Sequence, residues 1–457
     1  MASSDDDIER LIKLKDYITE RLDKPVTNDC IHLCGLSVFH IIVDNPEEVL
    51  KRASEYLHAW PYAEVPTCWR RLYEDASLHL AVKLLRRRLN KLQSTTTAVS
   101  LATMNPAKRM KLDLSTPKDE DWIEEFCKIM DRAVIISGAP GRKALIDDVL
   151  KELEVWIAAE WQSAQPRRLP TPRPRPLDTD FPIMRIARGY EFEEFQMHLE
   201  TTAAPVIMPG TFERWPARTL WEDVNYLKYR TLGGNRIVPV EIGSSYNESG
   251  WSQKVMNFAE FVERYLIPDQ PESIGYLAQH DLFEQIPSLK NDISIPDYCW
   301  TNPPQPEGAA AETAGLKSTK QLDEPLLNAW LGPAGTKTPL HTDPYHNILC
   351  QVIGYKYIRL YKPEDSKYMY PSGVDDTGIN MDNTSQVDVV HFRPELRAGE
   401  PEYPAALKEQ IRKYPLFGRA ECQEAILGPG ECLYIPLGWW HYVESVTASF
   451  SVSFWWN

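Results

Sequence analysis

Apolar residues recur at helical spacing through the first third of the chain and at strand spacing through the rest. Ile8, Leu11, Ile18 and Leu22 share one helical face, and Ser3, Ser4 and the acidic residues 5–7 supply a polar cap before them. Leu145, Val149, Leu153, Trp156 and Ile157 mark another amphipathic helix. From Phe181 the period changes. Residues 183–186, Pro205-Val-Ile-Met-Pro, Ile237-Val-Pro-Val-Glu-Ile-Gly and Ser273-Ile-Gly-Tyr-Leu-Ala are short β-type runs broken by glycine, proline and polar turns. Helical pieces at 191–199 and 257–265 interrupt them. Many short strands punctuated by turns suit a barrel or jelly roll. The fold class expected is α+β: an N-terminal α-helical domain over residues 1–165, then an all-β domain over 181–457.

The segments between these elements have their own character. Ser94-Thr-Thr-Thr-Ala-Val-Ser leads into Pro106-Ala-Lys-Arg-Met-Lys-Leu-Asp113, so a flexible basic loop is expected near 94–118. A short basic cluster after a proline resembles a signal read by a nuclear import receptor, which implies a nuclear location besides the cytoplasm. Pro166-Arg-Arg-Leu-Pro-Thr-Pro-Arg-Pro-Arg-Pro176 reads as an extended spacer, and the domain linker is placed at 166–180. Residues 303–320, with Gly308-Ala-Ala-Ala-Glu-Thr-Ala-Gly315, read as a flexible insertion in the β domain. Gly138-Ala-Pro-Gly-Arg-Lys143 lacks the G-x-x-x-x-G-K-[ST] pattern of a phosphate loop and reads as a glycine-containing turn at a helix end.

Charge and cysteine usage narrow the function. The chain has 50 Lys and Arg against 65 Asp and Glu, a net charge of −15, which argues against direct nucleic-acid binding and for basic protein partners such as histones, ribosomal or chromatin-associated proteins. None of the 8 cysteines forms a C-x-x-C pair, so free thiols are expected. No apolar run approaches the ~20 residues that cross a bilayer, so no membrane role is expected.

The chemistry concentrates in Leu340-His341-Thr342-Asp343. His341 and Asp343 stand at i and i+2, which on a strand places both side chains on one face. Two imidazoles and a carboxylate hold Fe(II) on one face of an octahedron and leave positions open. The third ligand expected is His441, which follows the turn and strand Leu427-Gly-Pro-Gly-Glu-Cys-Leu-Tyr-Ile-Pro-Leu-Gly-Trp-Trp. His346, beyond Pro344, would point to the opposite face of a continuing strand, and His391 follows a valine pair with no tight turn to hold it. Any of these histidines has the alternative role of a hydrogen-bonded core residue.

Taken together, His341-x-Asp343, Lys356, Pro429-Gly-Glu-x-x-Tyr-Ile-Pro and Trp440-His441 resemble the JmjC family of Fe(II) and 2-oxoglutarate oxygenases, over about residues 181–457. The layout resembles the subgroup known as JmjC domain-containing protein five, arginyl hydroxylases also called lysine demethylase eight, and a fungal member is expected. The resemblance implies a double-stranded β-helix, with Fe(II) at His341, Asp343 and His441 and with 2-oxoglutarate and O₂ as co-substrates. Lys356, with the hydroxyls of Thr338 and Tyr276, would receive the remote carboxylate of 2-oxoglutarate. Asn347 matches a position near the other end of that co-substrate, and Trp455 matches a tryptophan close to the pocket wall. Glu241 matches a carboxylate that receives a substrate guanidinium, and Gln279 would add a hydrogen bond. The reaction expected is hydroxylation of arginine in basic proteins, favoured by the lack of a zinc module or chromatin reader. The alternatives are histone N-methyl-lysine demethylation at the same iron site and a JmjC scaffold with secondary catalysis.

Overall fold

The structure is a computed structural model that describes residues 4–457 except 36, 37, 39, 62, 63, 105–121, 163, 164, 244–249, 269, 305–318, 375–377, 379 and 394–402. The basic segment from Pro106 to Asp113 and most of the 303–320 insertion lie outside the described residues. The chain forms two compact units.

The first unit is helical, with helices Ser4–Leu22, Pro46–His58, Thr67–Met104, Trp122–Ser137 and Lys143–Gln162. Leu11, Ile18, Leu85, Phe126, Met130, Val149 and Leu153 meet in its main core, as the 3.6-residue spacing requires. The turn after Ser137 carries Gly138 at φ 73°, matching the glycine-containing helix end expected there. Two expectations need correction. The polar stretch from Ser94, expected as part of a loop, continues the Thr67–Met104 helix; alanine, serine and threonine extend a helix whose first half is anchored in the core. Residues Lys228–Ile237, expected within the β domain, belong to the helical unit. Leu232 joins its core, and Arg236 and Asp131 form a buried ion pair at 2.6 Å.

The second unit spans Ala164–Leu227 and Val238–Asn457. Its strands are β1 (Met184–Arg185), β2 (Val206–Pro209), β3 (Ile237–Ile242), β4 (Ser252–Asn257), β5 (Gly275–His280), β6 (Leu326–Gly332), β7 (Lys337–His341), β8 (His346–Ile353), β9 (Lys356–Tyr361), β10 (Cys422–Leu427), β11 (Glu431–Ile435), β12 (Trp440–Ser445) and β13 (Ser449–Trp456). They form a nine-stranded sheet, β1-β2-β11-β8-β13-β6-β5-β3-β4, and a four-stranded sheet, β10-β9-β12-β7.

Alternation along β13 shows how the sequence builds both faces. Phe450, Val452, Phe454 and Trp456 enter the core on one face of the large sheet, while Ser451 and Ser453 face the other way. On that second face Leu349, Leu433 and Ile435 of the large sheet pack on Ile358, Leu360 and Val443 of the small one. The interior between the sheets is therefore apolar at one end and polar around the histidines. The linker is no free spacer. The Leu169 amide bonds the Glu222 carbonyl at 3.1 Å, the Val224 amide bonds the Arg167 carbonyl at 2.7 Å, and the Ile183 amide bonds the Glu424 carbonyl at 3.0 Å, fastening 167–183 to the β unit.

Candidate functional site

His341 ends β7 and is the direct cross-strand partner of His441 in β12, so antiparallel pairing closes a sequence gap of about a hundred residues. The two rings stand 4.1 Å apart. Asp343, in the turn after β7, places one carboxylate oxygen 3.6 Å from His341 Nε2 and the other 3.4 Å from His441 Nε2. The Nδ1 atoms are 2.7 Å from the Pro339 carbonyl and 3.0 Å from the Trp439 carbonyl. With Nδ1 turned to these carbonyls, both Nε2 atoms face the Asp343 carboxylate. Burial, with the neighbouring His441, pushes His341 down to about 4, so it is a neutral ligand near pH 7. Burial alone would push Asp343 up, but the hydrogen bond and charge from His441, with His341, hold it below the usual carboxylate range. Among the described residues this is the one group of three ligand side chains close enough to share a metal ion, with ligand atoms all within 4.8 Å of one another.

The other histidines stand apart from it. His346 points away, with Nδ1 2.9 Å from the Tyr434 hydroxyl, and His391 pairs with Asp388 at 3.5 Å.

The triad opens into a cavity between the sheets, lined also by Tyr276, Thr338, Asn347 and Lys356, as the sequence suggested. Lys356 comes from β9 and is 1% exposed. Among the described residues its one hydrogen-bond partner is the Tyr276 hydroxyl at 3.2 Å, and no carboxylate pairs with it. Burial pushes the ammonium down to about 7. Burial pushes the Tyr276 phenol up, which keeps it a neutral hydroxyl, and Thr338 lies beside it. Trp455 of β13 stands directly opposite Asn347 of β8 and stacks on Tyr345. Asn347 Oδ1 and Trp455 Nε1 are buried with no partner among the described residues.

Glu241 is the cross-strand partner of Tyr276 and so shares its face of the sheet, but it is not among the residues that line the cavity. It is half-buried, not solvated as on an edge strand, because β4 covers β3; burial raises its pKa, and Trp251 Nε1 donates to it at 3.3 Å. Gln279 is exposed at φ 46°, within a register shift of β5, and is not brought into the lining. Three residues beyond Tyr276, Gln279 falls on the opposite face by strand alternation, and the register shift does not carry it into the lining. Sequence reasoning missed Trp330 and Ser453, which also line the cavity. Both alternate with core residues on β6 and β13, but alternation alone does not tell a cavity face from a solvent face.

These residues suit the groups that the motif set implies. Two imidazoles and a carboxylate match Fe(II), and a buried ammonium without a counter-ion matches a dianionic acid. A double-stranded β-helix with a His-x-Asp…His site between its sheets defines a metal-binding cupin. Residues 192–457 match the cupin-like domain family, and the chain belongs to it, in its JmjC branch. It is 43% identical over 265 residues to lysine-specific demethylase 8 of Xenopus tropicalis, covering 58% of this chain and 51% of that protein. It is 39% identical over 293 residues to Jumonji C domain-containing protein 5 of Drosophila melanogaster, covering 62% and 64%. It is 41% identical over 272 residues to lysine-specific demethylase JMJ30 of Arabidopsis thaliana, covering 59% and 53%. The chain thus spans about half to two thirds of the length of these relatives.

Proposed function

We propose that the protein is an Fe(II)- and 2-oxoglutarate-dependent oxygenase that modifies a side chain of a basic protein. The observation that carries this reading is the pairing, in one cavity, of the His341, Asp343 and His441 cluster with the buried, counter-ion-free Lys356. His341, Asp343 and His441 hold the metal through two Nε2 atoms and a carboxylate. Lys356, with Tyr276 and Thr338, receives the remote carboxylate of 2-oxoglutarate, and Asn347 and Trp455 act at its other end. Iron with 2-oxoglutarate and O₂ supplies an oxidant that places one oxygen atom on a substrate carbon, the other oxygen leaving in succinate as CO₂ is released. The protein's own part is to orient: the carbonyls of Pro339 and Trp439 fix the imidazoles.

The names of the relatives weigh toward the demethylase alternative, in which a hydroxylated N-methyl group of lysine leaves as formaldehyde. We take that as the leading fine reading. Arginine hydroxylation stays as the second reading because Glu241 places a half-buried carboxylate beside Tyr276, where a guanidinium would be held by two hydrogen bonds. The acidic chain and the basic Pro106 to Asp113 segment support a basic substrate met in the nucleus. The test is mass spectrometry of methyl-lysine and arginine peptides incubated with the full chain, Fe(II), ascorbate and 2-oxoglutarate. Loss of a methyl group with formaldehyde supports demethylation, and one added oxygen on arginine supports hydroxylation. Neither change, with 2-oxoglutarate bound but not consumed, overturns the oxygenase reading in favour of a scaffold.

A further inference from the structure

The inner face of the large sheet carries a graded series of polar groups. Deeper in, each finds a partner: Ser451 Oγ donates to Gln351 Oε1 at 2.7 Å, and Trp330 Nε1 donates to Ser453 Oγ at 2.9 Å. Toward the start of β8 the series continues with Asn328, Trp455 and Asn347, and there the pairing stops. Asn328 Nδ2, Trp455 Nε1 and Asn347 Oδ1 are all buried, and none has a hydrogen-bond partner among the described residues. Folded proteins pair nearly all their buried polar groups, and leaving one unpaired is unfavourable. Unpaired groups clustered on one face therefore point to a ligand.

The register places them together. Asn328 of β6 is the cross-strand partner of Ser453, a cavity residue, and lies on the same face as Trp330. Trp455 is two residues beyond Ser453 on β13, so Asn328 and Trp455 are diagonal neighbours on one face. Asn347, opposite Trp455, itself lines the cavity beside the triad and connects this layer to it.

We propose that Asn328 Nδ2 and Trp455 Nε1 form a pair of donors that together hold one oxygen acceptor of the bound ligand, making Asn328 a binding residue of this enzyme. The acceptor is a carboxylate oxygen of 2-oxoglutarate or a backbone carbonyl of the protein substrate; both offer the lone pairs that two neighbouring N–H donors on one face require. The inference rests on the oxygenase reading of the same site. A donor kept unpaired for a ligand has a second signature. Replacing it with an apolar residue of similar shape removes a buried orphan, so the free protein loses no stability.

The experiment uses the full chain with Asn328→Leu, Asn328→Asp and Trp455→Phe. Three quantities are read: 2-oxoglutarate affinity by equilibrium dialysis with Mn(II), affinity for a labelled Lys/Arg-rich peptide by fluorescence anisotropy, and the melting temperature of the free protein. A loss of about tenfold in 2-oxoglutarate affinity, with Asn328→Leu melting no lower than wild type, assigns the acceptor to the co-substrate. The same loss confined to the peptide assigns it to the substrate carbonyl. Both affinities unchanged in all three variants, or a lowered melting temperature as the only effect, overturns the proposal. Failure of the wild type itself to bind 2-oxoglutarate overturns the oxygenase reading instead.

Discussion

Replacing Lys356 with methionine distinguishes an ammonium held for a ligand from one held for the fold. Its Nζ is buried, has one neutral partner, and lies 5.5 Å and 6.0 Å from the Tyr276 and Trp330 ring centres. Burial lowers its pKa from the 10.5 of a solvated lysine to about 7. The folded chain then binds fewer protons than the unfolded one between those values, so stability rises with pH across the window and is lost as pH falls through it. At about 1.4 kcal/mol per tenfold change in proton affinity, holding the ammonium costs up to about 4 kcal/mol at pH 7. Methionine fills the space without the charge. The ligand-free Lys356→Met protein is therefore expected to melt above wild type at pH 7, with the gap closing by about pH 10. Saturating 2-oxoglutarate with Mn(II) raises the wild-type melting point by an amount equivalent to about 2.7 kcal/mol at a hundredfold excess over Kd, and leaves the variant unmoved. Thermal denaturation at the two pH values, with and without 2-oxoglutarate, reads all of this. A variant that melts below wild type at pH 7, or that 2-oxoglutarate stabilises equally, refutes the assignment of Lys356 as an anion receiver.

Three further substitutions test other parts of the site and fold. Tyr276→Phe removes the hydroxyl beside Lys356 and is expected to weaken 2-oxoglutarate binding about three- to tenfold in equilibrium dialysis, with little change in melting. Glu241→Gln keeps the shape and removes the charge; turnover of arginine peptides should fall about tenfold or more while methyl-lysine turnover holds, and an equal fall on both counts against a guanidinium site. Gly354→Ala places a methyl group 1.9 Å from the Ala448 carbonyl oxygen at a backbone φ of 73°, so a loss of several kcal/mol, roughly 3 or more, is expected in denaturant unfolding.

The metal cluster was legible because its chemistry is compressed into a few residues. His341 and Asp343 declare themselves by i, i+2 spacing, and His441 by the turn that delivers it to a strand. Lys356 was legible only through the family motif set, since Arg359 puts a second charge on the same strand. Asn328, Trp330 and Ser453 were not, because an inward polar residue on a strand looks like an outward one until the sheet that covers it is known. Gln279 failed on parity: three residues beyond Tyr276, alternation puts it on the opposite face, and the register shift of β5 does not return it to the cavity. The helical extension to Met104 and the capture of Lys228–Ile237 by the helical unit follow from tertiary packing, which a local pattern does not encode. The pinned linker is a similar case: prolines exclude helix and sheet, but the backbone bonds to Glu222 and Glu424 depend on where those partners fold.

The most direct test of the central claim is the amount of succinate formed per modified peptide by the full chain, set against Asp343→Ala. The account predicts one succinate for each methyl group lost or oxygen gained, with both products abolished when the carboxylate ligand is removed. Succinate and peptide modification that persist in Asp343→Ala, or peptide modification that proceeds without 2-oxoglutarate, would contradict it.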